Sequence, residues 1–265
     1  MTTLMTGFTL AVTRAEADAI HTDSTGLIAG EVQVPTADGN LPAYRAQPDG
    51  AGRFPIIIVI EEIFGVHEYI KDVCRRLAKL GYLAIAPELY ARLADLSKMT
   101  DPQEIVTSVI LKAPDDTMLS DLDHTAAWAT AHGGDAGRLG VVGFCRGGRD
   151  TWLYAEHNPH LKAAVAFYGP VRGKTSDIQP KTPLDLAADL KCPLLGLYGG
   201  ADGSIDVADV RHAAALATAA GQSVQIEVFP GAPHGFHADY RASYHKDAAE
   251  AAWAKMLGWF RGHGV

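Results

Sequence analysis

Residues 139–148 read Leu-Gly-Val-Val-Gly-Phe-Cys-Arg-Gly-Gly, an apolar run that ends in the pattern Gly-x-Cys-x-Gly centred on Cys145. A helix-like stretch, Arg149 to His157, follows at once. Where a strand reverses sharply into a helix, the central side chain of the turn is forced into a strained, exposed position, and most such nucleophile elbows carry serine there. Gly143 and Gly147, two residues to either side, let the backbone close without a clash. The helix N-terminus then aims unpaired N–H groups, with their partial positive charge, at the reacting atom. The order strand, elbow, helix makes Cys145 a candidate nucleophile rather than a buried structural thiol.

Outward from the elbow, strand-like and helix-like patterns alternate from residue 30 to the end. Val32 to Val34 and Leu41 to Ala46 read as a hairpin turning through Ala37-Asp38-Gly39-Asn40. The β-branched run Ile56 to Ile60 has the signature of a strand covered on both faces. His67 to Leu80 carries Ile70, Val73, Cys74 and Leu77 at helical spacing, with Gly81 to stop it, so Cys74 belongs to a packing stripe. Tyr82 to Ala86, Lys162 to Tyr168, Pro193 to Tyr198 and Val224 to Phe229 are further strands. Met118 to Ala131, Val207 to Ala220 and Asp247 to Arg261 are helices. Residues 88–113 are a long, partly helical connection, and Gly169 to Leu190 an excursion near the site. The alternation predicts an α/β fold: a mostly parallel twisted sheet with helices on both faces and an N-terminal hairpin. Ligands bind such sheets outside the carboxyl ends of the strands, where the elbow lies.

The chain has 265 residues, 48% hydrophobic and 20% charged, with a formal net charge of -8. That balance, without any Lys/Arg cluster, argues against a nucleic-acid surface. No apolar run is long enough to span a bilayer. Three cysteines, Cys74, Cys145 and Cys192, are too few for a disulfide framework, and a reducing compartment suits a working thiol. A cytoplasmic protein is expected. The apolar patch Met5 to Val12 leaves a periplasmic alternative, although the first basic residue is Arg14 and no charged start precedes the patch. We expect residues 1–27 to be an N-terminal arm or the remnant of a signal, and residues 28–265 to be a single domain.

A neutral thiol is a poor nucleophile and needs a base within reach, itself oriented by a third group. On this fold an acid and then a histidine should follow the nucleophile. Asp202 lies beyond the strand ending at Tyr198 and the glycines after it, and His234 sits on the loop after the last strand. Asp202 would accept the Nδ1–H of His234 and leave Nε2 facing the thiol. Asp206 and His237 compete for these roles; His237 is assigned to the substrate pocket or to support of the site. The remaining histidines have no metal spacing, and no metal or cofactor is expected. Glu61 and Glu62 end the strand from Ile56, and one of them is expected to face the thiol, keeping it protonated at rest.

Four ordered motifs then coincide: Glu62-Ile63-Phe64-Gly65, Pro87-Glu88-Leu89-Tyr90-Ala91-Arg92, Gly143-Phe144-Cys145-Arg146-Gly147-Gly148 and Pro233-His234-Gly235-Phe236. Together they resemble the dienelactone hydrolase family over roughly residues 28–265. The resemblance implies an α/β-hydrolase fold and a triad of Cys145, Asp202 and His234. It implies that Glu62 attends the resting thiol, and that the N–H groups of Ile63 and Arg146 form the oxyanion hole. The family's founding enzymes clamp a substrate carboxylate with two arginines. One matches Arg92; where the other falls this chain has Ala238, with Arg241 as a nearby stand-in. Tyr90, Trp152, Tyr168 and His237 are expected to line a broader pocket. The expected activity is hydrolysis of a small ester or lactone through a thioester acyl-enzyme, by a monomer or homodimer. The alternatives are a promiscuous carboxylesterase or thioesterase without dienelactone activity, and a ligand-binding protein that has lost turnover.

Overall fold

The computed structural model describes residues 19–265. Eight strands form one sheet: β1 (Leu27–Thr36), β2 (Gly39–Pro48), β3 (Phe54–Ile60), β4 (Leu83–Pro87), β5 (Gly134–Phe144), β6 (Ala163–Phe167), β7 (Leu194–Gly199) and β8 (Val224–Phe229). Their spatial order is β1-β2-β4-β3-β5-β6-β7-β8. β1 pairs antiparallel with β2, and β2 with β4, while every other pair is parallel. This is the predicted mostly parallel sheet with its hairpin at one edge. β4, β6 and β7 are buried at every position, as strands covered on both faces must be.

The helices among the described residues are α1 (Glu68–Lys79), α2 (Pro102–Ser108), α3 (Asp115–Ala131), α4 (Arg146–His157), the short α5 (Pro183–Leu186), α6 (Val207–Ala219) and, after the last strand, α7 (Lys246–Gly262). α1 buries Ile70, Val73, Cys74 and Leu77 against β2 and β4, so Cys74 packs in the core and burial pushes its thiol up. The helix ends as expected, with Gly81 in the left-handed conformation at φ 96°. The described part of the N-terminal arm is tied to this helix. Thr22 N–H donates to Asp72 Oδ1 at 2.5 Å, and Asp23 pairs with Lys79 at 2.8 Å. Met5 to Val12 lie outside the described residues.

Several boundaries differ from expectation. β1 runs Leu27–Thr36 rather than Val32 to Val34 and β2 begins at Gly39 rather than Leu41, so Ala37 and Asp38 alone make the turn. β5 begins at Gly134 rather than Leu139, because its first residues pair with Phe54 and Pro55 across a register shift. α3 starts a turn early, at Asp115, immediately after Pro114. α4 starts at Arg146 rather than Arg149, because Gly147 and Gly148 are weak helix formers in sequence yet occupy its first turn.

Candidate active site

The site is assembled at the carboxyl ends of β3, β5, β6, β7 and β8. Cys145 sits between β5 and α4 with φ 55° and ψ -115°, a left-handed conformation that costs a side-chain-bearing residue of the order of 1–3 kcal/mol. The elbow tolerates nothing larger around it. A Cβ on Gly143 would lie 2.1 Å from the Gly147 carbonyl oxygen, and one on Gly147 would lie 2.4 Å from the carbonyl oxygens of Ile60 and Glu61. The first turn of α4 is thus pressed against the end of β3. Cys145 is only 5 % exposed, more enclosed than the solvent-presented thiol expected from the sequence.

His234 Nε2 lies 3.2 Å from Cys145 Sγ, and His234 Nδ1 lies 2.8 Å from Asp202 Oδ2. The other oxygen of Asp202 accepts from Ser204 N–H at 2.8 Å, Ser204 Oγ–H at 2.6 Å and Ile205 N–H at 3.2 Å. Three donors on Oδ1 fix the carboxylate and leave Oδ2 for the imidazole. Burial works against the charge on His234, but Cys145 and Asp202 on either side outweigh it and hold its pKa up at about 10. Burial likewise opposes the charge on Asp202, and the His234 and Ser204 donors keep it below the usual carboxylate range. The rival Asp206 is the N-cap of α6, accepting from Ala208 N–H at 2.8 Å. Among the described residues no hydrogen bond uses the N–H of Ile63 or Arg146. Both donors flank the contact between the β3 end and the first turn of α4, where a helix has N–H groups to spare.

Glu62 does not turn to the thiol. It is fully buried and pairs with Arg241 Nη2 at 2.9 Å, accepts from Tyr240 Oη at 2.7 Å, and has His67 Nε2 at 3.7 Å. Burial alone would raise its pKa, but Arg241 and His67 hold it down at about 2. A guanidinium at hydrogen-bond distance outcompetes a thiol for a carboxylate, which is why the expected Glu62–Cys145 contact is absent here. Arg241 is itself fully buried and lies over the rings of Phe64 and Tyr240, with its guanidinium on Glu62 at the end of β3. The stand-in arginine is therefore at the site.

Four expected substrate contacts are elsewhere. Arg92 bridges Asp38 of the β1–β2 turn (2.7 and 2.8 Å) and Asp121 of α3 (2.6 and 3.0 Å), so its guanidinium fork is already filled. Tyr90 is buried under α4 with its hydroxyl on Asp150 at 3.3 Å. His237 is a core histidine: Tyr69 Oη lies 2.7 Å from its Nδ1, and its ring stacks on Phe144 and Trp253. Burial and the nearby Arg76 push its pKa down to about 3, so it stays neutral. Trp152 is also in the core, donating to Tyr198 Oη at 3.1 Å.

Tyr168 does belong to the site. It is held at φ 37° at the end of β6, its ring centroid lies 5.1 Å from that of His234, and its buried hydroxyl has no hydrogen-bond partner among the described residues. Ser204 and Tyr240 were not anticipated. Ser204, two residues past the acid, has the spacing of a side-chain turn and was legible in principle; Tyr240 carries no such signal.

Residues 41–264 match the model of the dienelactone hydrolase family. A Methylorubrum extorquens protein named "Putative carboxymethylenebutenolidase" is 55% identical over 266 positions, covering 100% of this chain and 91% of its own. An Escherichia coli K12 protein of the same name is 48% identical over 264 positions, covering 99% and 97%. The crystal structure of a "Putative Dienelactone Hydrolase" from Klebsiella pneumoniae superposes with a TM-score of 0.87 at 53% identity, over 89% of this chain and 98% of that one.

Proposed function

Because the chain belongs to the dienelactone hydrolase family, with its α/β-hydrolase fold, we propose that it hydrolyses a small ester or lactone through Cys145, His234 and Asp202. The observation that carries this reading is the continuous contact from sulfur through imidazole to carboxylate, at 3.2 and 2.8 Å. A protonated His234 beside Sγ is the counter-ion that a thiolate needs. The thiolate attacks the carbonyl carbon, and the oxyanion is received by the N–H groups of Ile63 and Arg146. The C–O bond to the leaving alkoxide breaks as His234 gives it a proton, leaving a thioester on Cys145. His234, now neutral and oriented by Asp202, takes a proton from water, whose oxygen attacks the thioester. The tetrahedral adduct expels the sulfur and frees the acid.

Arg241 and Glu62 bear on the substrate. A carboxylate-bearing lactone entering beside Sγ would compete with Glu62 for Arg241, and a released Glu62 would then be free to approach the thiol. A second reading, a neutral-ester hydrolase, is favoured by a specific observation: both arginines considered for carboxylate recognition already have carboxylate partners. Turnover of a dienelactone and of short p-nitrophenyl esters by the wild type and Arg241→Met separates the two. The first reading predicts that Arg241→Met raises KM for the anionic lactone at least tenfold and spares the neutral esters. Equal effects on both substrate classes would favour the second.

A further inference from the structure

At the far end of α4 from the nucleophile, a cavity of about 370 Å³ lies between α3, α4 and residues 180–191. Leu119, Leu153 and Leu186 form an apolar strip in its wall, charged residues make up most of the rest, and Glu156 on α4 lines it beside the leucines. That side chain is unusual. The residue is 6 % exposed, and neither carboxyl oxygen has a hydrogen-bond partner among the described residues. A buried, unpartnered carboxyl costs several kcal/mol if ionised, and a native structure keeps such a group where something meets it. Burial pushes the Glu156 pKa well up, which favours the neutral carboxyl until a cation meets it.

The charges around the cavity say what the partner is. Asp115 is met by Arg149, with two contacts of 2.8 Å. Asp116 and Asp189 on the rim are balanced in number by Lys181 and Lys191. Glu156 is left over, one carboxyl in excess. It also sits in the last turn of α4, whose C-terminal carbonyls repel anions and favour cations. Among the described residues no group of three metal-ligating side chains forms here, and the leucines beside the carboxyl suit an organic cation. We propose that this cavity binds a primary aliphatic amine, its ammonium group on the Glu156 carboxylate and its chain against Leu119, Leu153 and Leu186. Ten residues of helix, about 15 Å, separate Glu156 from the elbow, so the site is distinct from the one that holds Cys145.

Calorimetric titration of the whole protein with n-butylammonium chloride tests this, with n-butanol as the uncharged control. The expected result is saturable binding of the ammonium only, with proton release, read from the heats in two buffers of different ionisation enthalpy. Glu156→Gln keeps the volume and should weaken binding at least tenfold, while ester hydrolysis stays as in the wild type. Leu119→Trp narrows the cavity from α3 without touching the carboxyl and should weaken binding as well. No saturable binding, equal binding by Glu156→Gln, or equal binding of butanol would each overturn the proposal.

Discussion

Cys145 and His234 form a pair whose partners cannot be exchanged independently. Replacing Cys145 with Ala should abolish ester hydrolysis and leave the circular dichroism and thermal transition close to wild type; retained turnover would place the chemistry elsewhere. The linkage signs follow from the shifts. His234, raised from 6.5 to about 10, contributes stability that is fully present below 6.5 and is lost as pH climbs through about 10. Glu62, lowered from 4.5 to about 2, contributes stability that is present above 4.5 and is lost as pH falls through about 2. Glu62→Gln removes that acid-side dependence and takes the carboxylate from a buried guanidinium, for an expected loss of about 3–5 kcal/mol in urea unfolding at pH 7. His237→Leu should cost about 1–3 kcal/mol by orphaning the Tyr69 hydroxyl, with KM unchanged. A raised KM would return His237 to the substrate pocket. The positions of Cys145, Asp202 and His234 were legible because strand ends and chain order constrain them. The positions of His237, Tyr90 and Arg92 were not, because a residue's neighbours across the fold decide whether it faces substrate or core.

The elbow is the element on which the site's geometry turns. Gly147 has no room for a methyl group, since its Cβ would meet the carbonyl oxygens of Ile60 and Glu61 at 2.4 Å. Gly147→Ala must push α4 away from the β3 end and part the two N–H donors, Ile63 and Arg146. The expected outcome is a loss of about 2–4 kcal/mol in thermal or urea unfolding, together with a kcat reduced at least tenfold. A variant with wild-type kcat would mean that these donors do not act together. The sequence announced the elbow because glycines, apolar strand and helix occur in order. It misjudged the start of α4 for the same reason, since glycines chosen for close approach read as helix breakers. Residues 88–113 were legible only as a connection. Their helices are α2 and two single turns, Leu96–Lys98 and Ile110–Lys112, too short to display a period.

Taken whole, the molecule uses long-range charge contacts to tie its hairpin edge to the helices. Arg92 joins the β1–β2 turn to α3 across 54 and 29 positions of chain. It is partly exposed and solvent screens its pair with Asp38, but Asp121 is buried, so Arg92→Ala should lower stability by about 1–3 kcal/mol and leave KM for every substrate unchanged. A rise in KM for anionic substrates alone would restore it to recognition. The order of the eight strands follows from chain alternation and handed connections, whereas this tether could not be foreseen, because carboxylates at positions 38 and 121 are brought to it only by the completed fold. The central claim, that the sulfur carries the acyl group, is tested most directly by acid-quenching the enzyme during turnover of a short p-nitrophenyl ester and mapping the adduct by peptide mass spectrometry. An acyl group on the peptide containing Cys145, present while the wild-type enzyme turns over and gone once the ester is consumed, is the predicted result. Turnover with that peptide unmodified, or acylation at another residue, would contradict it.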